Sequence, residues 1–317
     1  MKKLFSVLLA VSMVVSLAAC GQTAKNDTYT VGICQLVQHE ALDAATKGFK
    51  DALTEELGDK VKFEEQNASG DSNACSTIIN GFVSKNVDLI MANATPALQA
   101  ASAGTSTIPI LGTSVTEYGV ALELDNFNGV VGGNISGTSD LAPLDKQAEL
   151  LLSIFPDAKN VGLLYCSAEP NSIYQVKVVK EYLEGKGVTC KEFSFSDTND
   201  IAAVTTSACK FSDVIYLPTD NQVAASTGII DGICRPAKIP VISGEEGICA
   251  GCGVATLSIS YYELGRKTGL MAAKILRDGE DISKMPIEYD ENYKKKYNKE
   301  ICDELGIKLP DDFEEIK

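Results

Sequence analysis

The side chains best suited to chemistry in this 317-residue chain stand where apolar runs end and helical patterns begin. In the second half these ends carry acids and amides: Glu169, Asn171 and Ser172 in one loop, Asp220 and Asn221 in the next, Glu245 in a third. In the first half they carry hydroxyls and a helix start: Thr95 directly before Pro96, and Ser114 after the run IPILGT. That division suits a zwitterion. A ligand carboxylate is favoured by unpaired helix-terminal N–H groups and by Ser or Thr hydroxyls, and an ammonium by a carboxylate such as Glu169, Asp220 or Glu245. Asp220, Asn221, Ser172 and Thr95 would serve equally as caps of the helices they precede. Glu169, an acid between an apolar strand and Pro170, has no evident structural task and is read as a ligand contact. His39, the single histidine, is read as packed at the start of the first helix.

Nothing in the chain asks for catalysis. It has no G-x-x-x-x-G-K-[ST], no G-x-G-x-x-G after the first strand, no G-x-S-x-G and no H-E-x-x-H, so no catalytic residue and no cofactor are expected. Cys249 and Cys252 have C-x-x-C spacing, but without a second such pair and with one histidine they do not make a metal site.

The elements that position these residues alternate. TVGICQL, VKFEEQ, VDLIMAN and IPILGT read as strands, separated by helical patterns over 39–57, 73–84 and 96–103. The series then repeats: Val161-Gly-Leu echoes Val31-Gly-Ile, Asp213 onward echoes Asp88 onward, and Ile239-Pro-Val echoes Ile108-Pro-Ile, at offsets of 130, 125 and 131. The fold class is therefore α/β, two Rossmann-like lobes with parallel sheets facing each other across a cleft. A helical pattern over 261–277, a short strand-like MPIEY and a last helix ending at Leu305-Gly306 exceed what the second half needs. They fit a chain that returns to the first lobe and crosses back, giving three interlobe crossovers and a hinge. The expected limits are 29–135 plus 259–283 for the N-terminal lobe and 136–258 plus 284–317 for the C-terminal lobe.

Residues 1–20, MKKLFSVLLAVSMVVSLAAC, add location: a basic start, an apolar run of 16 residues, and small residues before Cys20. The run is too short for a hydrocarbon core of about 30 Å, and the pattern is that of a cleaved signal. It resembles a bacterial lipoprotein signal, with 1–19 removed, Cys20 carrying lipid and residues 20–28 forming a tether. With Cys20 committed to lipid, nine cysteines remain, an odd number that cannot all pair, and they are read as mostly reduced core thiols. A formal net charge of −15 and the lack of a basic stripe argue against nucleic acid as partner.

Five segments in order carry a family likeness: Gln35-Leu-Val-Gln-His-Glu-Ala-Leu-Asp43, Ala94-Thr-Pro-Ala-Leu-Gln-Ala100, Glu169-Pro-Asn-Ser172, Pro218-Thr-Asp-Asn221 and Tyr261-Tyr-Glu-Leu-Gly265. Together they resemble the ABC-transporter substrate-binding lipoproteins of the tryptophan and tyrosine type. The resemblance implies a periplasmic-binding-protein type I fold, capture of a small solute between lobes, an aromatic amino acid above others, and delivery to an ABC permease powered by a separate ATPase. It places Thr95 and Pro96 at the first-lobe contact, Glu169, Asn171 and Ser172 in the second-lobe cluster, and Asp220 and Asn221 on the facing loop. Where the family often reads Glu-His-Pro-Ala-Leu-Asp, this chain has Gln38-His-Glu-Ala-Leu-Asp43. Tyr118, Tyr174 and Tyr261 are candidates for an aromatic wall. The expected protein is a monomeric, lipid-anchored, extracytoplasmic binder and not an enzyme; a tethered sensor of the same fold, or a binder of another solute, are the alternatives.

Overall fold

The structure, a computed structural model, describes residues 28–317; the signal expected at 1–19, the lipidation expected at Cys20 and the tether expected up to residue 27 lie outside the described residues. The chain runs β1 (Tyr29–Gln35), α1 (Glu40–Leu57), β2 (Val61–Asn67), α2 (Ser72–Lys85), β3 (Leu89–Asn93), α3 (Thr95–Gly104), β4 (Ile110–Val115), α4 (Tyr118–Ala121) and β5 (Ile135–Ser139) through the first lobe. It then crosses to α5 (Leu144–Ile154), β6 (Asn160–Cys166), α6 (Pro170–Gly185), β7 (Thr189–Phe195), α7 (Ile201–Phe211), β8 (Val214–Leu217), α8 (Asn221–Ala224), α9 (Thr227–Ala237), β9 (Val241–Ser243), α10 (Glu246–Cys252) and β10 (Ala255–Ser258). It returns for α11 (Tyr261–Asp278) and β11 (Glu288–Tyr289), and crosses again for β12 (Lys294–Tyr297), α12 (Lys299–Leu305) and β13 (Glu314–Glu315).

Each lobe has one sheet. The first orders β11-β5-β4-β3-β1-β2, and the second β13-β12-β10-β9-β8-β6-β7. All pairings are parallel except β10 with β12. Helices cover both faces, which is why the inner strands read as unbroken apolar runs: every residue of β3 and of β8 is buried. The first sheet has one apolar cluster around Phe82, Ile90 and Leu98 and another around Phe49, Met91 and Met271.

Three crossings join the lobes, after Ser139, after Ser258 and after Tyr289. Two of the expected limits move. Residues 136–139 belong to the first lobe, because β5 pairs along β4 with Ile110 opposite Ile135, and so does β11, whose Glu288 lies opposite Thr138. The strand ISGTS is small and polar and has no apolar signature, so its end could not be read as a strand end. β12, Lys-Lys-Lys-Tyr, carries no apolar signature either; it lies between β10 and the short edge strand β13, and its lysines pair with Glu314, Asp312 and Glu246.

The helix that follows the second crossing is fixed to the first lobe by backbone contact. A Cβ on Gly265 would lie 2.0 Å from the carbonyl oxygen of Ala45, so α1 and α11 pass closer than any side chain would allow. That contact anchors the hinge segment Ile259-Ser260 to a rigid body, with the Ser260 hydroxyl accepting from the Glu263 N–H to start α11.

Candidate functional site

The carboxyl ends of both sheets face each other, and the lobes are in contact across the cleft. His39, at the start of α1, reaches Asn221, at the start of α8, with Nε2 and Oδ1 3.3 Å apart. Nearby, the Gln222 Nε2 donates to the Gly70 carbonyl at 3.4 Å. Between the lobes lies a cavity of about 10 Å³. Its first-lobe wall is His39, Leu42, Ser114, Thr116 and Asp140, with Tyr261 at the start of α11; its second-lobe wall includes Asn171, Thr219, Asp220, Asn221 and Glu245.

Three polar atoms in this small space are buried and have no hydrogen-bond partner among the described residues: Ser114 Oγ, Asp140 Oδ1 and Asn171 Oδ1. Each such group costs about 1–3 kcal/mol when left unmatched. Two are acceptors only, and they come from opposite lobes. Asp140 presents one oxygen to the cavity while the Tyr261 hydroxyl donates to the other at 2.8 Å. Burial pushes the Asp140 carboxyl above the usual carboxylate range, against the pull of the Tyr261 hydroxyl. The Asn171 amide faces the cavity with its oxygen because its Nδ2 is held by Glu169 and by the Thr219 carbonyl, each at 3.1 Å. Ser114 stands in the left-handed region, φ 53°, and Ala94 at the end of β3 has φ 91°. Backbone of this kind in non-glycine residues costs on the order of 1–3 kcal/mol and gathers at functional sites.

The three acids expected to meet a ligand ammonium are engaged otherwise. Asp220 accepts from the Cys166 N–H at 2.7 Å and the Val223 N–H at 2.9 Å, tying β6 to the cap of α8. Glu245 accepts from the Gly247 and Ile248 N–H groups and caps α10; burial pushes it up to about 7. Glu169, expected to lack a structural task, has one. It accepts from the Asn221 N–H at 3.1 Å, the Asn221 Nδ2 at 2.7 Å and the Gln222 N–H at 3.1 Å, so it holds the start of α8 against the start of α6. Burial first, and then the neighbouring Asp220 charge, raises its carboxyl, while these donors oppose the shift. The same bond sets the orientation of Asn221: with Nδ2 on Glu169, its Oδ1 faces His39, whose Nε2 then donates. Burial lowers the His39 imidazole, consistent with a neutral ring.

The other candidates separate. Pro96 lines a second interlobe cavity, of about 270 Å³, with Leu36, Gly70, Ala168 and Glu169. Thr95 and Ser172 are buried outside both cavities. Of the tyrosines, only Tyr261 lines the site. Tyr118 is a core side chain whose hydroxyl donates to the Thr138 carbonyl at 3.1 Å, and Tyr174 is half-buried away from the cavity. Cys249 and Cys252 are buried in α10. Among the cavity-lining residues that sequence reasoning did not single out, Leu42, Thr116, Asp140, Thr219 and Ala224, the one acid is Asp140, one position past the polar strand β5. Its signal was an acid closing a run of small polar residues.

The model of the family described as ABC transporter substrate binding protein matches residues 30–315. The chain belongs to that family. This substrate-binding chain is 35% identical to a tyrosine-binding protein of Clostridioides difficile (strain R20291) over 305 residues, covering 90% of this chain and 87% of the relative. Among solved structures it superposes on an ABC domain in complex with L-Trp from Streptococcus pneumonia with a TM-score of 0.85, at 32% identity, covering 90% of this chain and 96% of that one. It matches the ligand-free, open structure of a substrate binding protein with adhesive properties from Clostridium difficile with a TM-score of 0.70, at 38% identity, covering 92% and 99%. The fold of the substrate-binding chain is thus the periplasmic-binding-protein type I fold, and its family is extracytoplasmic. Among the described residues no helix is long and apolar enough to cross a membrane.

Proposed function

We propose that this substrate-binding protein captures an aromatic α-amino acid between its lobes and presents it to an ABC permease, without turning it over. The observation that carries the reading is the convergence of Asp140 Oδ1 and Asn171 Oδ1, buried and unpartnered, from opposite lobes, with Ser114 Oγ beside them. Two acceptors want a donor with several hydrogens, as an ammonium has, and Ser114 is placed for the carboxylate of the same ligand. Tyr261 and Leu42 border the polar group and offer apolar surface to a side chain. An aromatic side chain is favoured by the tyrosine-binding relative and by the L-Trp complex. The higher TM-score to the complex than to the open structure, despite lower identity, supports reading this arrangement as the closed one.

Calorimetry on the mature protein with the twenty amino acids tests the proposal. Saturable heat with tyrosine, tryptophan or phenylalanine is expected, with the ligand recovered unchanged; silence for all three refutes the aromatic assignment. Anchoring through a lipid on Cys20 belongs to the same proposal. It is checked by metabolic labelling with an alkyne fatty acid, which Cys20→Ser should abolish.

A further inference from the structure

Seven of the nine described cysteines are buried, and two, Cys190 and Cys209, are partly open to solvent. Cys209 differs from Cys190 in having a second thiol beside it. Its sulfur on α7 lies 3.5 Å from that of Cys234 on α9, 25 residues away in sequence. The two helices pack side by side over one apolar cluster on the outer face of the second sheet. Cys234 sits beneath, 2% exposed. A disulfide needs the sulfurs at about 2.05 Å, a closure of roughly 1.5 Å from the 3.5 Å observed.

We propose that Cys209 and Cys234 form a modification site, a dithiol that closes to a disulfide by exchange with small extracytoplasmic disulfides of the glutathione class. The Cys209 thiolate attacks one sulfur of the small disulfide, whose S–S bond breaks and releases one thiolate. Cys234 then loses its proton to that leaving thiolate and attacks Cys209 Sγ, expelling the second small thiol. Two protein thiols are oxidised and one disulfide is reduced to two thiols. The arrangement favours this order. The outer thiol is the accessible one, and the hydrogen bond between the sulfurs holds Cys209 below the usual thiol range and Cys234 far above it, so the thiolate forms where the oxidant arrives. Cys34 and Cys75 also adjoin each other, in the first lobe, but both are fully buried and a small disulfide cannot reach them. An extracytoplasmic setting supplies oxidant that a cytosolic protein would not meet.

The experiment treats the full mature chain with oxidised glutathione, alkylates the remaining thiols under denaturing conditions and maps the peptides. Expected is joint loss of alkylation at Cys209 and Cys234, a cross-linked peptide joining them, and a rise in melting temperature that dithiothreitol reverses. Cys209→Ser, a change at a partly open position, should abolish the cross-link and the rise while leaving amino-acid binding unaltered. Persistence of glutathione on Cys209, full alkylation of both thiols, or a cross-link elsewhere, such as Cys234 to Cys252, would overturn the proposal.

Discussion

Replacing Asp140 by asparagine separates binding from folding at the site. The carboxylate presents one buried, unpartnered oxygen to the interlobe cavity and receives the Tyr261 hydroxyl on the other. Asparagine keeps the shape and one acceptor and removes the charge. A charge-assisted hydrogen bond contributes about 1.5–3 kcal/mol and a neutral one about 0.5–1.5, so the difference is roughly 1–2 kcal/mol. At 1.4 kcal/mol per factor of ten, the dissociation constant for the amino acid should rise about 5- to 30-fold. Stability should move the other way. Burial already raises the Asp140 carboxyl in the folded protein, so its ionised form opposes folding above the ordinary carboxylate range, and a neutral isostere removes that penalty. Asp140→Asn should therefore melt at the same temperature as wild type or higher when ligand-free, and gain less from added ligand. Isothermal calorimetry and differential scanning fluorimetry on the two proteins read both quantities. Affinity within about threefold of wild type, or a ligand-free melting temperature several degrees lower, would refute the assignment of Asp140 to the ligand.

His39→Ala should raise the ligand off-rate about fivefold by removing the hydrogen bond that spans the lobes, and His39→Gln should restore part of it; stopped-flow displacement measures both. Burial lowers the His39 imidazole in the closed protein, so a proton on the ring opposes closure. Affinity should consequently weaken as pH falls through about 6.5, and His39→Gln should flatten that dependence in calorimetry at a series of pH values. Glu169→Gln should destabilise the fold by about 1–3 kcal/mol, read by urea denaturation, because an amide NH₂ would replace an oxygen that now accepts from Asn221 and Gln222. Gly265→Ala should cost at least about 1–3 kcal/mol in the same assay, since its Cβ would meet the Ala45 carbonyl oxygen at 2.0 Å.

Much of this architecture was legible because parallel strands covered on both faces write themselves as apolar runs. TVGICQL, VDLIMAN and IPILGT became β1, β3 and β4, and the pattern over 261–277 became α11. The same reasoning failed at β5 and β12, whose ISGTS and KKKY carry no apolar signature; the first lobe limit was set early because β5 was missed, and the second because β11, read as the strand-like MPIEY, was given to the other lobe. At the site, the loops read from the sequence line the interlobe cavities, and the acids within them are engaged by groups of their own lobe. Asp220 and Glu245 precede helices, and an acid there meets unpaired N–H groups of the same chain before it meets a ligand. Glu169 is bound by α8, an element about fifty residues downstream, which no local pattern encodes. Asp140 shows the converse. It begins no helix, its next neighbour in the fold is a hydroxyl at the start of α11, and one of its oxygens is left over.

That leftover oxygen bears on how closure is coupled to occupancy. Asp140 and Ser114 belong to the first lobe and Asn171 to the second, and all three line the cavity where the lobes meet. Closing without ligand leaves these three groups to share the space of about one water, at about 1–3 kcal/mol for each group left unmatched, whereas the His39–Asn221 bond returns about 1. An amino acid that supplies an ammonium and a carboxylate removes the penalty and lets the interlobe contacts form. The open form is thus favoured when the site is unfilled and the closed form when it is filled, with the ligand's differential interaction setting the shift. Asp220, Glu169 and Glu245 bond within the second lobe alone, which suits movement of that lobe as a rigid body. A permease that recognises the closed arrangement of the two lobes would in that way distinguish loaded from unloaded protein without touching the amino acid.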